Sequence, residues 1–372
     1  MQFASIPGLS GLKKQLITAY KRGKVAHAQL FSGTSQSAAL PLALAYGTYL
    51  MCENKNEQDS CGSCANCHRI QKLVHPDLHL YFPKIAASDA GKLDKVLAEA
   101  LPAFREFISG SPYAALEEWA YAYGQDNKNL LLSREDSRMM FKDVSMRSVE
   151  GGYKILLIWC PETMNVNAAN AILKILEEPP EKTIYLLVTA QYEALLATIT
   201  SRTQLVSVPP LTVTEIEEYL ISAGTEKLLA AKIANQAEGK VGRAFSLLEG
   251  ESLHEYKDFQ AWMLACWKRD VITLTRRSED FAKSGKASQR GALLSAVATI
   301  RNSLLISSGK DSSATEGEEL AFMTKFSETL GPHKLEHCYQ LLNESVVHLE
   351  RNANVRILYL NLSLQLTKIL TT

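Results

Sequence analysis

The chain has no excess of charge of either sign: 40 lysines and arginines balance 40 aspartates and glutamates over 372 residues. Without a net field it has no global attraction for nucleic acid or an anionic membrane, although a local basic face remains compatible with zero net charge. Long apolar runs are also missing. The longest, such as ILLIWC ending at Cys160, fall far short of the roughly 20 residues that cross a bilayer. The opening residues MQFASIPGLSGLKKQL hold no apolar signal core. The expectation is a cytoplasmic protein with no membrane partner. What is present is ordinary for a globular chain, 46% hydrophobic and 22% charged, long enough for two or three domains.

A second absence lies within a motif. LFSGTSQSAALPLALAYG, Leu30 to Gly47, has the outline of a phosphate-binding loop: an apolar strand end, Gly33, small residues, then an apolar helix. Such a loop reads G-x-x-x-x-G-K-[ST]. Counted from Gly33, the second glycine falls on Ala38, the lysine on Ala39 and the hydroxyl residue on Leu40. The groups that would hold phosphate and magnesium are gone, so no ATP binding is expected.

Cysteines are the opposite case. Four of seven lie within sixteen residues, Cys52, Cys61, Cys64 and Cys67, spaced C-x8-C-x2-C-x2-C. In a reducing compartment such clustering points to metal rather than disulfides. Four thiolates close a tetrahedral structural zinc site. An iron–sulfur cluster or unrelated free thiols are the alternatives, and His68 and His75 are further ligands within reach in sequence. CHRIQKL lacks the cysteine and proline that continue the ferredoxin pattern.

Along the chain, residues 2–27 read as a helix leading to His27, and AQLFSG as a short strand. AALPLALAYGTYLMC reads as a helix that tolerates Pro41 in its first turn. HPDLHLYFP alternates like a strand. Residues 86–150 read as helix and loop. YKILLIWCP and KTIYLLVTA are continuous apolar runs, the mark of buried parallel strands, and NVNAANAILKILEEPP is a helix stopped by prolines. TEIEEYLISAG and residues 226–250 read as helices. From about residue 255 the periodicity is helical, broken by the polar link SSGKDSSATEGEE. Strands alternating with helices imply a parallel α/β sheet, and the helical remainder a separate domain.

HAQLFSG, the four cysteines, HPDLHLYFP, NAILKILEEPP and SRT occur in one order and together closely resemble the clamp-loader subunits of bacterial DNA polymerase III. The resemblance is strong over roughly residues 1–250. It returns in NANVRILYLNLSLQL near the end. It implies an α/β AAA+ core with an inserted zinc module, a helical lid and an all-α oligomerisation collar. The expected bounds are 1–208 for the core, with zinc at 52–67, 209–250 for the lid and 251–372 for the collar. Within that family the ATP-hydrolysing tau/gamma subunit needs the missing lysine and hydroxyl, and an acidic pair where this chain has Trp159 and Cys160. Glu162 lies nearby but out of step. The chain also ends at the collar, without the extension that tau carries. It therefore resembles the family's inert member. The resemblance implies a ring with tau/gamma and delta subunits, and through it the sliding clamp and primer-template DNA.

In the family, the arginine of a Ser-Arg-Cys motif reaches the ATP of the adjacent subunit. Arg202, in Ser201-Arg202-Thr203, is the residue this implies, placed after the last core strand and acting as an arginine finger in trans. Its plainer reading is a surface salt bridge. Thr189, where a phosphate sensor would sit, reads as a strand-end cap, and Arg243 as a lid surface residue. Ala169, Ile172, Leu173 and Leu176 form a core face, Glu177 and Glu178 a solvated helix end, and His27 a packing residue. The basic run Lys268–Arg290 interleaves acids and reads first as a solvated helix face. Two other functions remain in view: a tau/gamma-like ATPase with an aberrant loop, and a stand-alone zinc-dependent nucleic-acid-binding protein. The neutral charge and the lack of aromatic–basic interleaving around the cysteines count against the latter.

Overall fold

The computed structural model describes residues 1–87, 89–125, 128–248, 251–284, 286–308, 318–350 and 353–371. Most of the polar link read at 307–319 lies outside them. The chain divides into two compact units, one formed by residues 1–230 and 237–244, the other by 231–236 and 245–372.

The first unit is built on a five-stranded parallel sheet of order β2-β3-β4-β1-β5. The strands are β1 (Ala28–Ser32), β2 (Leu78–Tyr81), β3 (Lys154–Trp159), β4 (Thr183–Thr189) and β5 (Gln204–Ser207). Every residue of β3 and β4 is buried, as continuous apolar runs require in a sheet covered on both faces. Its helices are α1 (Ser10–Lys21), α2 (Ala39–Met51), α3 (Ala65–Gln71), α4 (Ala90–Gly110), α5 (Leu116–Ala122), α6 (Arg134–Ser145), α7 (Val166–Glu177), α8 (Ala197–Thr200) and α9 (Val213–Ser222), while α10 (Lys227–Gln236) and α11 (Val241–Leu248) each contribute residues to both units. Ala169, Ile172 and Leu176 of α7 pack with Leu156, Ile158, Tyr185 and Leu187 of the sheet, and Leu173 is partly buried beside them. Pro41 sits in the first turn of α2.

Residues 86–150 hold α4, α5 and α6. Their core is aromatic: Phe82 stacks on Phe104 at 3.9 Å between centroids, and Trp119 meets both edge-on. The Trp119 indole donates to the Pro83 carbonyl at 2.7 Å. Beneath them Lys84 and Asp136, both fully buried, form an ion pair.

Three readings are corrected. The helix expected over 2–27 is a 3₁₀ turn at Phe3–Ser5 followed by α1, because Pro7 and the left-handed Leu9 interrupt it. The expected strand at 75–83 contracts to four residues. β5 is unforeseen: QLVS is short and polar, and only Val206 of it is buried. Arg202 therefore precedes the last strand instead of following it.

The second unit is helical: α12 (Glu251–Trp267), α13 (Val271–Lys283), α14 (Lys286–Ser307), α15 (Glu318–Glu350) and α16 (Val355–Thr371). Its core includes Trp262, Cys266, Leu274, Ile300, Leu335, Leu342 and Leu366. Gly331, at φ 72° ahead of Pro332, breaks α15 into two segments. Among the described residues no helix is long and apolar enough to cross a membrane.

Candidate functional site

The loop between β1 and α2 is the place where a nucleotide-binding protein of this topology would cradle phosphate, because helix N–H groups converge there. Here Ala38, Ala39 and Leu40 are buried and apolar. Gly33 donates its N–H to the Thr189 carbonyl at 3.2 Å. Gln36 is left-handed at φ 62°. Its carbonyl accepts the Gly242 N–H of α11 at 3.1 Å, and its side-chain amide donates to Glu118 of α5. A Cβ added to Gly242 would stand 2.6 Å from the Tyr113 carbonyl and 2.8 Å from Gln36 Cβ. The loop is thus bound to the α4–α5 segment and to α11 by protein groups.

The end of β3, where an acidic pair would hold magnesium, is apolar as well. Trp159 packs on Phe104 at 5.5 Å, and burial pushes the Cys160 thiol well above its usual range. Glu162 is half-buried, and its carboxyl accepts the Thr189 hydroxyl at 2.8 Å. Burial raises its pKa above the ordinary carboxylate range. Thr189 Oγ1 also accepts the Gln191 N–H at 3.0 Å, so Thr189 does cap its strand.

The four cysteine sulfurs all lie within 4.8 Å of one another. A tetrahedral zinc with Zn–S bonds of about 2.3 Å needs sulfurs about 3.8 Å apart. Cys52 and Cys61 stand at 3.5 Å, and Cys61 and Cys67 at 3.9 Å. Backbone N–H groups of Cys61, Cys64 and Cys67 point at the sulfurs of Cys52, Cys61 and Cys64, at 3.3, 3.3 and 3.4 Å. N–H donors favour thiolates. Those of Ser63 and Cys64 bring the Cys61 thiol down to about 6, whereas burial raises Cys52 and Cys67. The cluster is therefore compatible with zinc in distance and in donor set.

His75 and His68 are not brought to this cluster. Asn66, between two cysteines, donates to the Met51 carbonyl at 3.1 Å, so its Oδ1 faces His75 Nε2, also at 3.1 Å. His75 Nδ1 accepts the Asp77 N–H at 3.1 Å. These roles place the ring proton on Nε2, and His75 is neutral. Asp77 in turn accepts Ser148 Oγ, Val149 N–H and Glu150 N–H at 3.0, 2.8 and 2.9 Å. Sequence reasoning missed this chain of bonds, and the only signal for it was HPD in HPDLHLYFP.

Arg202 follows α8 and is about one-third exposed. Its Nε and Nη2 meet Glu177 Oε1, and its Nη1 donates to the Thr198 carbonyl at 3.0 Å and to Ser201 Oγ at 3.3 Å. Glu177, read as a solvated helix end, is thus a partner of Arg202; Glu178 is exposed. His27 Nε2 donates to the Leu176 carbonyl at 2.9 Å, the last turn of the same helix. Arg243 pairs with Glu238 at 3.2 Å. In the second unit Arg277 pairs with Asp258 at 2.7 Å and Glu279 with Arg356 at 2.6 Å, so the basic run is laced with ion pairs.

The family described as DNA polymerase III, delta subunit, matches residues 8–212, more than half of the chain. The chain belongs to this family. Relatives agree with it. DNA polymerase III subunit delta' of Bacillus subtilis (strain 168) is 28% identical over 242 residues, 65% of this chain and 60% of its own length. Subunit delta' of Escherichia coli (strain K12) is 26% identical over 248 residues, 64% of this chain and 59% of its own. Subunit tau/gamma of Haemophilus influenzae is 26% identical over 253 residues, 66% of this chain and 30% of its own. Each match takes in less than two thirds of the relative's length. A solved DNA polymerase III gamma subunit-related protein of Thermotoga maritima aligns over 95% of this chain and 99% of its own, at 15% identity and a TM-score of 0.39. That superposition is too loose to bear on the fold. The resemblance to clamp-loader subunits of DNA polymerase III is borne out by the family and its relatives.

Proposed function

We propose that this delta-family chain is a delta-prime-like, non-hydrolysing subunit of the bacterial replicative clamp loader. It sits in a hetero-oligomeric ring with tau/gamma and delta subunits, which loads the sliding clamp onto primer-template DNA. The observation that carries the reading is the loop after β1: it has Ala39 and Leu40 where phosphate and magnesium chemistry need a cation and a hydroxyl, and its Gln36 is bonded to Gly242 and Glu118. A subunit of this kind hydrolyses nothing itself. Its contribution to hydrolysis is Arg202, whose guanidinium neutralises charge developing on the ATP of an adjacent motor subunit. Residues 1–208 act as an AAA+ core, 209–250 as its lid and 251–372 as the collar that holds neighbours. Cys52, Cys61, Cys64 and Cys67 hold one structural zinc ion, which rigidifies a polar loop and takes no part in the reaction.

The test is Arg202→Ala in a loader reconstituted from all its subunits. Arginine fingers contribute on the order of 10³–10⁵ in rate in GTPases. A ring with several sites dilutes that, so the expected outcome is intact assembly with clamp- and DNA-stimulated ATPase reduced severalfold. Wild-type turnover in an assembled Arg202→Ala loader would refute the role in trans.

A further inference from the structure

Arg202 has more partners than an exposed arginine needs. Its side chain is 34% exposed, yet one carboxylate, one carbonyl and one hydroxyl hold it. Exposed ion pairs contribute little to stability, and ordering a long side chain opposes them. Glu177 is also poorly placed for its own helix, since a carboxylate in the last turn of α7 faces the negative end of the helix dipole. Stability therefore does not account for the pair.

We propose that Glu177 is a positioning residue for Arg202; this rests on the reading of Arg202 as acting in trans. The geometry supports a division of labour on the guanidinium. A guanidinium presents five N–H donors in a rigid fork. Glu177 takes the side of the fork formed by Nε and one hydrogen of Nη2, and Thr198 takes one hydrogen of Nη1. Nη1 also donates to Ser201 Oγ at 3.3 Å, whereas Nη2 meets Glu177 alone and keeps a second hydrogen. That hydrogen suits a phosphate oxygen. The helix end that carries Glu177 is tied to the sheet. The Leu176 carbonyl beside it is capped by His27 at 2.9 Å, and the His27 carbonyl accepts the Tyr185 N–H of β4 at 2.7 Å. The arginine is thus ordered against the sheet before a neighbour arrives, and the cost of freezing it does not fall on the transition state.

Four variants compared with Arg202→Ala in the reconstituted loader test this, with assembly followed by gel filtration and ATPase resolved into kcat and KM. Glu177→Ala is expected to assemble, to lower kcat about two- to tenfold, the scale of immobilising one long side chain, and to leave KM for ATP within about twofold. Glu177→Gln keeps an acceptor oxygen and is expected to recover most of the rate. Glu177→Lys suits the helix terminus and so folds at least as well, but it repels Arg202 and is expected to lower kcat further. Adding Glu177→Ala to Arg202→Ala should lower kcat no further than Arg202→Ala alone. If Arg202→Ala lowers kcat while Glu177→Ala and Glu177→Lys do not, the positioning role is overturned and the role of Arg202 stands. An additional loss in the double variant also overturns it. If Arg202→Ala is itself neutral, the reading of Arg202 fails and the positioning role with it.

Discussion

Glu162 shows how burial and one partner set the chemistry of a single carboxyl group. It stands two residues beyond Cys160, half-buried, with the Thr189 hydroxyl donating to it at 2.8 Å. Burial raises its pKa, so the folded chain holds the proton more tightly than the unfolded chain. The stability linked to that proton is present at low pH. It declines as pH rises from the unfolded pKa through the higher folded one. Glu162→Gln keeps an acceptor for Thr189 without the charge. It is expected to match the wild type in denaturant melts near pH 4 and to exceed it near pH 8. A wild type that is the more stable protein at pH 8 would contradict the assignment. From the sequence, Glu162 was visible as an acid out of step with the strand. Its partner was not, because Thr189 belongs to β4 and only the β3–β4 register brings the two together.

At the scale of elements, two assemblies tie together segments of the first unit that lie far apart in the chain. The first joins the β1–α2 loop to α11 and to the α4–α5 segment. Gly242→Ala would force a methyl to 2.6 Å from the Tyr113 carbonyl and 2.8 Å from Gln36. Overpacking of this kind costs about 1–3 kcal/mol, so the variant is expected to unfold at lower denaturant, and an unchanged midpoint would show that the contact is slack. The second assembly is the cysteine loop. Its Asp59 carboxylate accepts the N–H groups of Phe3 and Ala4 at 3.0 and 2.8 Å, and Gln2 donates to the Ser60 carbonyl at 2.7 Å. Metal removal should therefore loosen the N-terminal residues as well as 52–67. Purified protein is expected to hold one zinc per chain, and chelation to raise amide exchange over both 1–6 and 52–77. Iron with visible charge-transfer absorption, or exchange confined to the loop, would count against this account.

At the scale of the whole molecule, zero net charge gives no global field to draw in a polyanion. The β1–α2 loop adds no cation at Ala38, Ala39 or Leu40, and Glu118 reaches its Gln36 from α5. The isolated chain is expected to give no calorimetric signal with ATP and magnesium at micromolar to high micromolar concentrations. The missing charge-assisted contacts are worth about 1.5–3 kcal/mol each. Saturable micromolar binding would instead favour a tau/gamma-like ATPase with an aberrant loop.

The sequence by itself determined the features that depend on local periodicity and spacing. The largely apolar runs at Lys154–Trp159 and Thr183–Thr189, short and rich in β-branched residues, read as covered strands, and C-x8-C-x2-C-x2-C gathers four sulfurs through short connections. The apolar residues Ala38, Ala39 and Leu40 at the motif positions were legible for the same reason, since that motif is contiguous. Tertiary structure decided the rest. β5 has too few apolar residues to announce itself, and only pairing with β1 makes QLVS a strand. Glu177 and Arg202 are 25 residues apart and meet because β4 returns the chain past the end of α7. His75 looked available to a metal until Asn66 and the Asp77 N–H occupied both ring nitrogens. Contacts of this kind depend on the order of strands in the sheet and on which helix end faces which loop, and no pattern of neighbouring residues encodes those.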